Sequence, residues 1–103
     1  MSAWEQLVET LTDAAHRSEY PNKFSASTGH GAITISHQSG AHWAKLAPEE
    51  NQLTHEDNVG NKTHRVGHYK TDGDQIMLDE HESCSVEDFA EDVILHHFRT
   101  QAA

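Results

Sequence analysis

The stretch SVEDFAEDVILHHF, residues 85–98, carries the clearest structural signal in the chain and predicts an amphipathic helix. Ser85 is placed to cap it, and Asp88 stands at the capping-box offset three residues on. Acidic residues fill the first turns and Arg99 lies near the end, as the helix dipole favours. One apolar stripe recurs at helical spacing: Val86, Phe89, Ala90, Val93, Ile94, His97 and Phe98.

A second amphipathic helix is predicted at the N-terminus. Ser2 can cap it, with Glu5 in the capping-box position, and Pro21 marks its end. One apolar face recurs at three- to four-residue spacing: Trp4, Leu7, Val8, Leu11 and Ala15. The two helices therefore bracket the rest of the chain.

Between the helices, the pattern changes to that of β-strands. Residues 24–39 indicate a strand interrupted at Gly29–Gly31, with Ile33, Ile35 and His37 alternating onto one side. Residues 42–46 favour a second strand. Residues 64–70 and 75–78 flank an Asp-Gly turn, which is the best hairpin signal in the sequence.

These elements predict an α+β fold in one domain, residues 1–103. An N-terminal helix, a three- to four-stranded antiparallel sheet and a C-terminal helix are expected, with both helices on one face of the sheet. Residues 47–63 are almost wholly polar. We interpret them as a long polar connection that is mobile or orders on a partner, or as a solvent-facing hairpin turning at 58–61.

Composition points to a thin core and an acidic surface. The chain has 103 residues, with 17 acidic and 7 basic side chains and a formal net charge of −10. Leu, Ile, Val and Phe together make up only about a sixth of it, close to the level at which highly charged chains stay unfolded. We therefore expect marginal stability, or support from a partner or from homodimerisation.

The acidic residues are concentrated in the last third of the chain. From Asp72 to Asp92 there is no Lys or Arg. Such a surface disfavours direct binding to nucleic acid or to anionic membranes and suits a basic protein surface. The residues expected to bind that partner are Asp72, Asp74, Asp79, Glu80, Glu82, Glu87, Asp88, Glu91 and Asp92.

The compartment is inferred from what the sequence shows of targeting and cysteine use. Cys84 is the only cysteine, the N-terminus carries no signal-peptide pattern, and no apolar run reaches the length of a membrane span. These features favour a reducing, cytoplasmic setting.

Histidine is over-represented, with ten residues in the chain, and this supports an alternative function in metal binding. His81 and Cys84, separated by two residues in a turn before the last helix, are the best candidate ligands for zinc or another transition metal. A second ligand pair is not evident, although His37, His42 or His97 could complete the site. No cofactor is otherwise expected.

The sequence contains no motif typical of an enzyme class. A cysteine nucleophile is disfavoured because the neighbouring carboxylates would raise the pKa of Cys84. The favoured hypothesis is a small acidic, non-catalytic interaction protein that binds a basic partner, as an inhibitor of the immunity, anti-defence or nucleic-acid-mimic type. Metal binding is the second hypothesis, and a small enzyme with histidine acid–base chemistry is the third.

Overall fold

The computed structural model describes residues 2–38, 40, 42–58 and 65–100, and within them two helical regions enclose a run of strands. Helix α1 spans Ala3–Arg17. The strands are β1 (Phe24–Gly29), β2 (Ala32–His37), β3 (Trp43–Glu49), β4 (Gln52–Asn58), β5 (Arg65–Asp72), β6 (Gln75–Met77) and β7 (Ser83–Ser85). The C-terminal helix then consists of α2 (Val86–Phe89), a π-helical segment (Ala90–Leu95) and α3 (His96–Thr100).

The strands form one seven-stranded sheet in which spatial order equals chain order, β1 to β7, with every neighbouring pair antiparallel. Tight turns join several of these strands. His30 and Gly31 have φ values of 53° and 76°, which is the left-handed pair that a two-residue hairpin between β1 and β2 requires. Gly73, with φ of 62°, opens the turn between β5 and β6, where the Asp-Gly signal predicted it.

The predicted N-terminal helix, antiparallel sheet and C-terminal helix are confirmed, but the expected count of three to four strands is wrong. Gly29–Gly31 is a complete turn, so residues 24–39 contain two strands rather than one interrupted strand. Strand β4 lies within the presumed connection, and the short β7 precedes the last helix. These three additional strands account for the difference.

The interpretation of residues 47–63 as a connection is wrong as far as residue 58. Residues 47–49 complete β3, and 52–58 form β4, whose side chains alternate between buried and half-buried positions. The hydrophobic pattern did not indicate this strand, because its buried positions after Leu53 are the polar residues His55 and Asp57. Residues 59–63 lie outside the described ranges, as does His64 at the start of the predicted strand 64–70.

The core lies between the two helical regions and one face of the sheet, which we call the inner face. Ile33, Ile35, Leu46, Leu53 and Ile76 contribute from the strands and are fully buried there. They pack in one cluster with Leu7 and Leu11 of α1 and with Phe89 and Phe98 of the C-terminal helix. Both helices therefore cover the same face of the sheet, as the amphipathic patterns indicated.

Both predicted N-caps are present. The Ser2 hydroxyl accepts a hydrogen bond from the Glu5 backbone N–H at 3.2 Å, and the Ser85 hydroxyl accepts one from Asp88 at 3.1 Å. In the capping box at the start of α1, the Ser2 hydroxyl also donates to the Glu5 carboxylate at 3.1 Å. These bonds satisfy backbone donors that a helix start otherwise leaves without partners.

The π-helical segment changes which residues of the C-terminal helix reach the core. Its backbone bonds span five residues, as where the His96 N–H donates to the Glu91 carbonyl. In a continuous α-helix at about 100° per residue, Leu95 would project away from the predicted stripe. The wider turn brings Leu95 inward beside Ile94, and both are buried, while Val93 is half-buried. The side chain of His97 lies outside the described part of the stripe.

Replacing Leu95 with Ala should therefore lower the free energy of unfolding by about 2–5 kcal/mol, the cost of truncating a buried leucine. Urea unfolding followed by circular dichroism measures it. The exposed Asp92, in the same segment, provides the control, and Asp92→Ala should change stability by only about 0.5 kcal/mol. Equal effects of the two substitutions would contradict the inward position of Leu95.

Candidate functional site

The acidic residues expected to bind a partner lie on three neighbouring elements. Asp72 and Asp74 lie at the turn between β5 and β6, and Asp79, Glu80 and Glu82 lie in the loop between β6 and β7. The remaining four lie on the first half of the C-terminal helix: Glu87, Asp88, Glu91 and Asp92. All nine are exposed except Glu91, which is half-buried.

The pairing of β6 with β7 collects these elements at one edge of the sheet. Gln75 lies opposite Ser85, so the turn after Asp72 lies next to the start of the C-terminal helix. Met77 lies opposite Ser83, so the Asp79–Glu82 loop joins the other ends of these two strands. Because the strands have three residues each, this loop is only about 10 Å from the turn after Asp72. We call this set of nine residues the acidic surface.

A cleft between α1 and the C-terminal helix extends the acidic surface. It has a volume of about 460 Å³, and its carboxylates come from both helices: Asp13, Glu87, Asp88 and Glu91. Two arginines, Arg17 and Arg99, also line it, and the Arg99 guanidinium forms an ion pair with the Glu91 carboxylate. The sequence did not indicate that Asp13 belongs to this surface, because the packing of two helices far apart in the chain leaves no local pattern.

The surroundings of Cys84 determine how readily its thiol loses a proton. Burial of the half-exposed thiol raises its pKa, and the negative charges of Asp88, Asp92 and Glu82 raise it further. A thiol must lose its proton to bind a metal ion or to act as a nucleophile. Both roles are therefore disfavoured at neutral pH.

The proposed ligand partner of Cys84, His81, has no further ligands grouped around it within the described residues. His81 is exposed, and its backbone N–H donates to the Asp79 carboxylate at 2.7 Å. Among the described residues, no three His, Cys, Asp or Glu side chains are grouped closely enough to hold a metal ion. His42 is half-buried, and the His97 side chain falls outside that description.

A buried histidine–carboxylate pair lies on the inner face of β4. His55 Nε2 is 3.1 Å from Asp57 Oδ2, and the two residues are 8% and 2% exposed. They share a face because they are two residues apart on a strand. The sequence signal for such a pair is two polar residues at positions i and i+2 with an apolar residue on either side. A one-residue slip of β4 would expose Leu53 and bury Glu56, so the alternation of this strand favours one register.

The aromatic contacts around this pair connect the sheet to the C-terminal helix. The His55 ring centroid lies 6.2 Å from that of Tyr69, and Tyr69 contacts Phe89 edge-on at 5.0 Å. His55 and Asp57 are 8% and 2% exposed, so the pair is part of the core packing between β4 and the C-terminal helix.

His37 lies on the same side of β2 as Ile33 and Ile35, as the alternation predicted, and it is buried. It is 2% exposed, and its Nε2 lies 3.2 Å from the Pro21 carbonyl oxygen. Its ring packs edge-on against His42, with centroids 5.7 Å apart. The other histidines whose side chains are described are exposed at the surface: His16, His30, His68, His81 and His96.

No protein-family model matches this chain, and no curated protein or solved structure is significantly similar to it. Its function is therefore argued from its own residues. Within the described ranges, none of the helices combines the length and apolar composition needed to cross a bilayer.

The environment of Cys84 leads to a testable difference in thiol reactivity. At pH 8, iodoacetamide should alkylate Cys84 more slowly than the cysteine of an unstructured peptide, because the raised pKa leaves less thiolate. Asp88→Asn or Asp92→Asn removes a negative charge, lowers the pKa and should speed the reaction severalfold. Glu87→Gln, which removes a carboxylate from the same helix, is the control. An equal acceleration by all three would contradict the specific influence of Asp88 and Asp92.

The buried pair should contribute to stability. Asp57→Asn removes the carboxylate that faces His55, and we expect a loss of about 1–3 kcal/mol in the free energy of unfolding at pH 7. Glu56→Gln, one residue away on the opposite face, should cost less. In a double-mutant cycle, His55→Gln and Asp57→Asn should be coupled by at least about 0.5 kcal/mol. Additive effects would show that the two side chains do not interact.

Proposed function

We propose that this protein is a small, non-catalytic interaction module whose acidic surface binds a basic surface of a partner protein. The observation that carries the proposal is the convergence of nine carboxylates from three elements onto one edge of the sheet, eight of them exposed. No Lys or Arg interrupts the sequence between Asp72 and Asp92. Charges gathered in this way steer and orient a partner of opposite sign.

The cleft between α1 and the C-terminal helix gives this surface a defined shape. Asp13 faces the carboxylates of Glu87 and Asp88 across it, so a lysine or arginine side chain of the partner could lie between two acidic helices. Arg99 pairs with Glu91 and Arg17 also lines the cleft, so the four carboxylates exceed the two arginines by two negative charges, which are available to the partner's cation. Charge-assisted bonds of this type are stronger than neutral ones and give the interface a preferred orientation.

The partner that best suits this surface is a protein with a cationic groove, and binding would occlude that groove. A protein that uses Lys and Arg to hold phosphate groups presents such a groove. Inhibition of a partner in the manner of an immunity, anti-defence or nucleic-acid-mimic protein is therefore part of the proposal. So is a cytoplasmic location, where the single cysteine stays reduced.

The test is affinity capture from the source lysate with the full chain, at low and at high salt. A basic protein should be retained at low salt and released at high salt, because screening weakens exposed charge pairs. The affinity for the identified protein is then measured by calorimetry. Failure to retain any basic protein would count against the proposal.

Charge reversal on the acidic surface should weaken binding of the captured protein at least tenfold, or about 1.4 kcal/mol. The variant carries Glu87→Lys, Asp88→Lys, Glu91→Lys and Asp92→Lys. A control with the same change in net charge reverses four glutamates that lie outside the acidic surface and are exposed: Glu9, Glu19, Glu49 and Glu50. Equal weakening in both variants would show that net charge, and not this surface, governs the interaction. Circular dichroism verifies that each variant is folded.

A further inference from the structure

We propose that the free edge of β1 pairs with β1 of a second copy of this chain, so that two sheets join into one continuous antiparallel sheet. The proposal concerns the edge of the sheet opposite β7. It does not depend on the function proposed above, since it rests on the backbone groups of β1 and not on the carboxylates.

The two edges of the sheet differ in how they are protected. Strand β7 has three residues and leads directly into the C-terminal helix, so little of its edge is free. Strand β1 has six residues, FSASTG, all in continuous register with β2. It contains no charged residue, no proline and no bulge, which are the features that usually prevent one edge strand from pairing with another.

The direction of the backbone groups of β1 follows from one hydrogen bond. The Gln38 N–H donates to the Lys23 carbonyl at 3.0 Å, which marks this pair as hydrogen-bonded across the strands. Bonded pairs alternate along an antiparallel ladder, so Ser25, Ser27 and Gly29 bond to β2. The backbone N–H and C=O groups of Phe24, Ala26 and Thr28 therefore point outward.

Ser18 occupies one end of this edge. Its hydroxyl accepts a hydrogen bond from the Phe24 N–H at 3.1 Å and also lies 3.1 Å from the Phe24 carbonyl oxygen. Phe24 is thus unavailable to a further strand. In the described part of the chain, Ala26 and Thr28 keep their outward groups for a partner.

These two positions define the register of the pairing. An antiparallel β1 places Ala26 opposite Thr28 of the second copy when Ser27 lies on the two-fold axis. Each of the two symmetric pairs then exchanges two backbone hydrogen bonds, four in all. A register centred on Ala26 would instead require Phe24 to pair with Thr28, which the Ser18 hydroxyl prevents.

Charge identifies a second copy as the suitable occupant. Residues 20–48, which include β1, β2 and most of β3, contain no Asp or Glu and two lysines, although the whole chain carries −10. The Asp79–Glu82 loop lies about 29 Å from β1, across six inter-strand spacings, whereas the C-terminal helix crosses the inner face and reaches the start of β1 through Phe98 and Arg99. Two chains that approach through their β1 edges therefore meet at segments without acidic residues, and the loops with the most concentrated acidic charge lie far apart.

The connection that precedes β1 contains an exposed aromatic residue. Tyr20 is 81% exposed and stands two residues after Ser18, in the connection from α1 to β1. Tyrosine is enriched in protein interfaces because its ring buries a large area while its hydroxyl remains hydrogen-bonded.

Sedimentation velocity of the full chain over a range of concentrations tests the proposal. The wild-type protein should sediment with the mass of two chains, and Thr28→Pro should raise the dimer dissociation constant at least tenfold. The Thr28 N–H points outward, so proline there removes an intermolecular donor and leaves the ladder with β2 intact. Thr28→Val keeps the N–H and is the matched control.

A second variant guards against misfolding of the proline variant. Ser27→Lys places two positive charges opposite each other on the two-fold axis and should also favour the monomer, whereas Ser83→Lys at the β7 edge should not.

In the wild-type dimer, the amides of Ala26 and Thr28 should exchange with deuterium more slowly as concentration rises. Salt should not dissociate the dimer, in contrast to an electrostatic complex. A monomeric wild-type chain, or a dimer that both β1 variants leave intact, would overturn the proposal.

Discussion

The register of the antiparallel ladder fixes where every strand residue of this protein lies. Each strand pairs with the one before it in the chain, so a side chain opposite a buried neighbour is itself turned inward. Ile33 lies opposite Leu46, and Leu46 opposite His55, which places the histidine on the inner face. The core, the buried His55–Asp57 pair and the outward direction of the charged turns all depend on this pairing.

Local signals in the sequence were sufficient for the helices and for one hairpin. Ser2 and Ser85 are recognisable caps because capping depends on residues three positions apart. Asp72-Gly73 is recognisable because few residues accept a positive φ. Strand β4 could not be recognised in the same way, because two of its three inward positions, His55 and Asp57, are polar. Only the pairing with β3 shows that they face the core, since His55 lies opposite Leu46 and Asp57 lies opposite Ala44.

The acidic surface likewise combines residues that the sequence indicates with residues that only the tertiary structure reveals. The exposed carboxylates were identifiable from their density in the sequence, whereas Asp13 joins them only through the packing of α1 against the C-terminal helix. The inward position of Leu95 depends on a π-helical turn, for which the sequence gives no periodic signal. Tertiary contacts thus supplied what propensity and spacing could not.

The order of the strands converts an uneven distribution of charge along the chain into an uneven distribution in space. Because the sheet follows chain order, the acid-free residues 20–48 form one side of the sheet and the acidic residues of 72–85 lie at the other. A sheet with crossover connections would have mixed the two sets. One edge is consequently suited to meet a copy of itself and the other to meet a cationic surface.

These two properties reinforce each other if both proposed interactions occur. Joining two β1 edges leaves the acidic Asp79–Glu82 loops at opposite ends of a fourteen-stranded sheet, on the order of 60 Å apart. Such a dimer presents two binding surfaces for basic partners. A partner that is itself dimeric, with cationic grooves at a matching separation, would bind the second surface intramolecularly, and its apparent affinity would exceed that of either contact alone. Loss of pairing at β1 would then weaken capture of such a partner even though the acidic surface is unchanged.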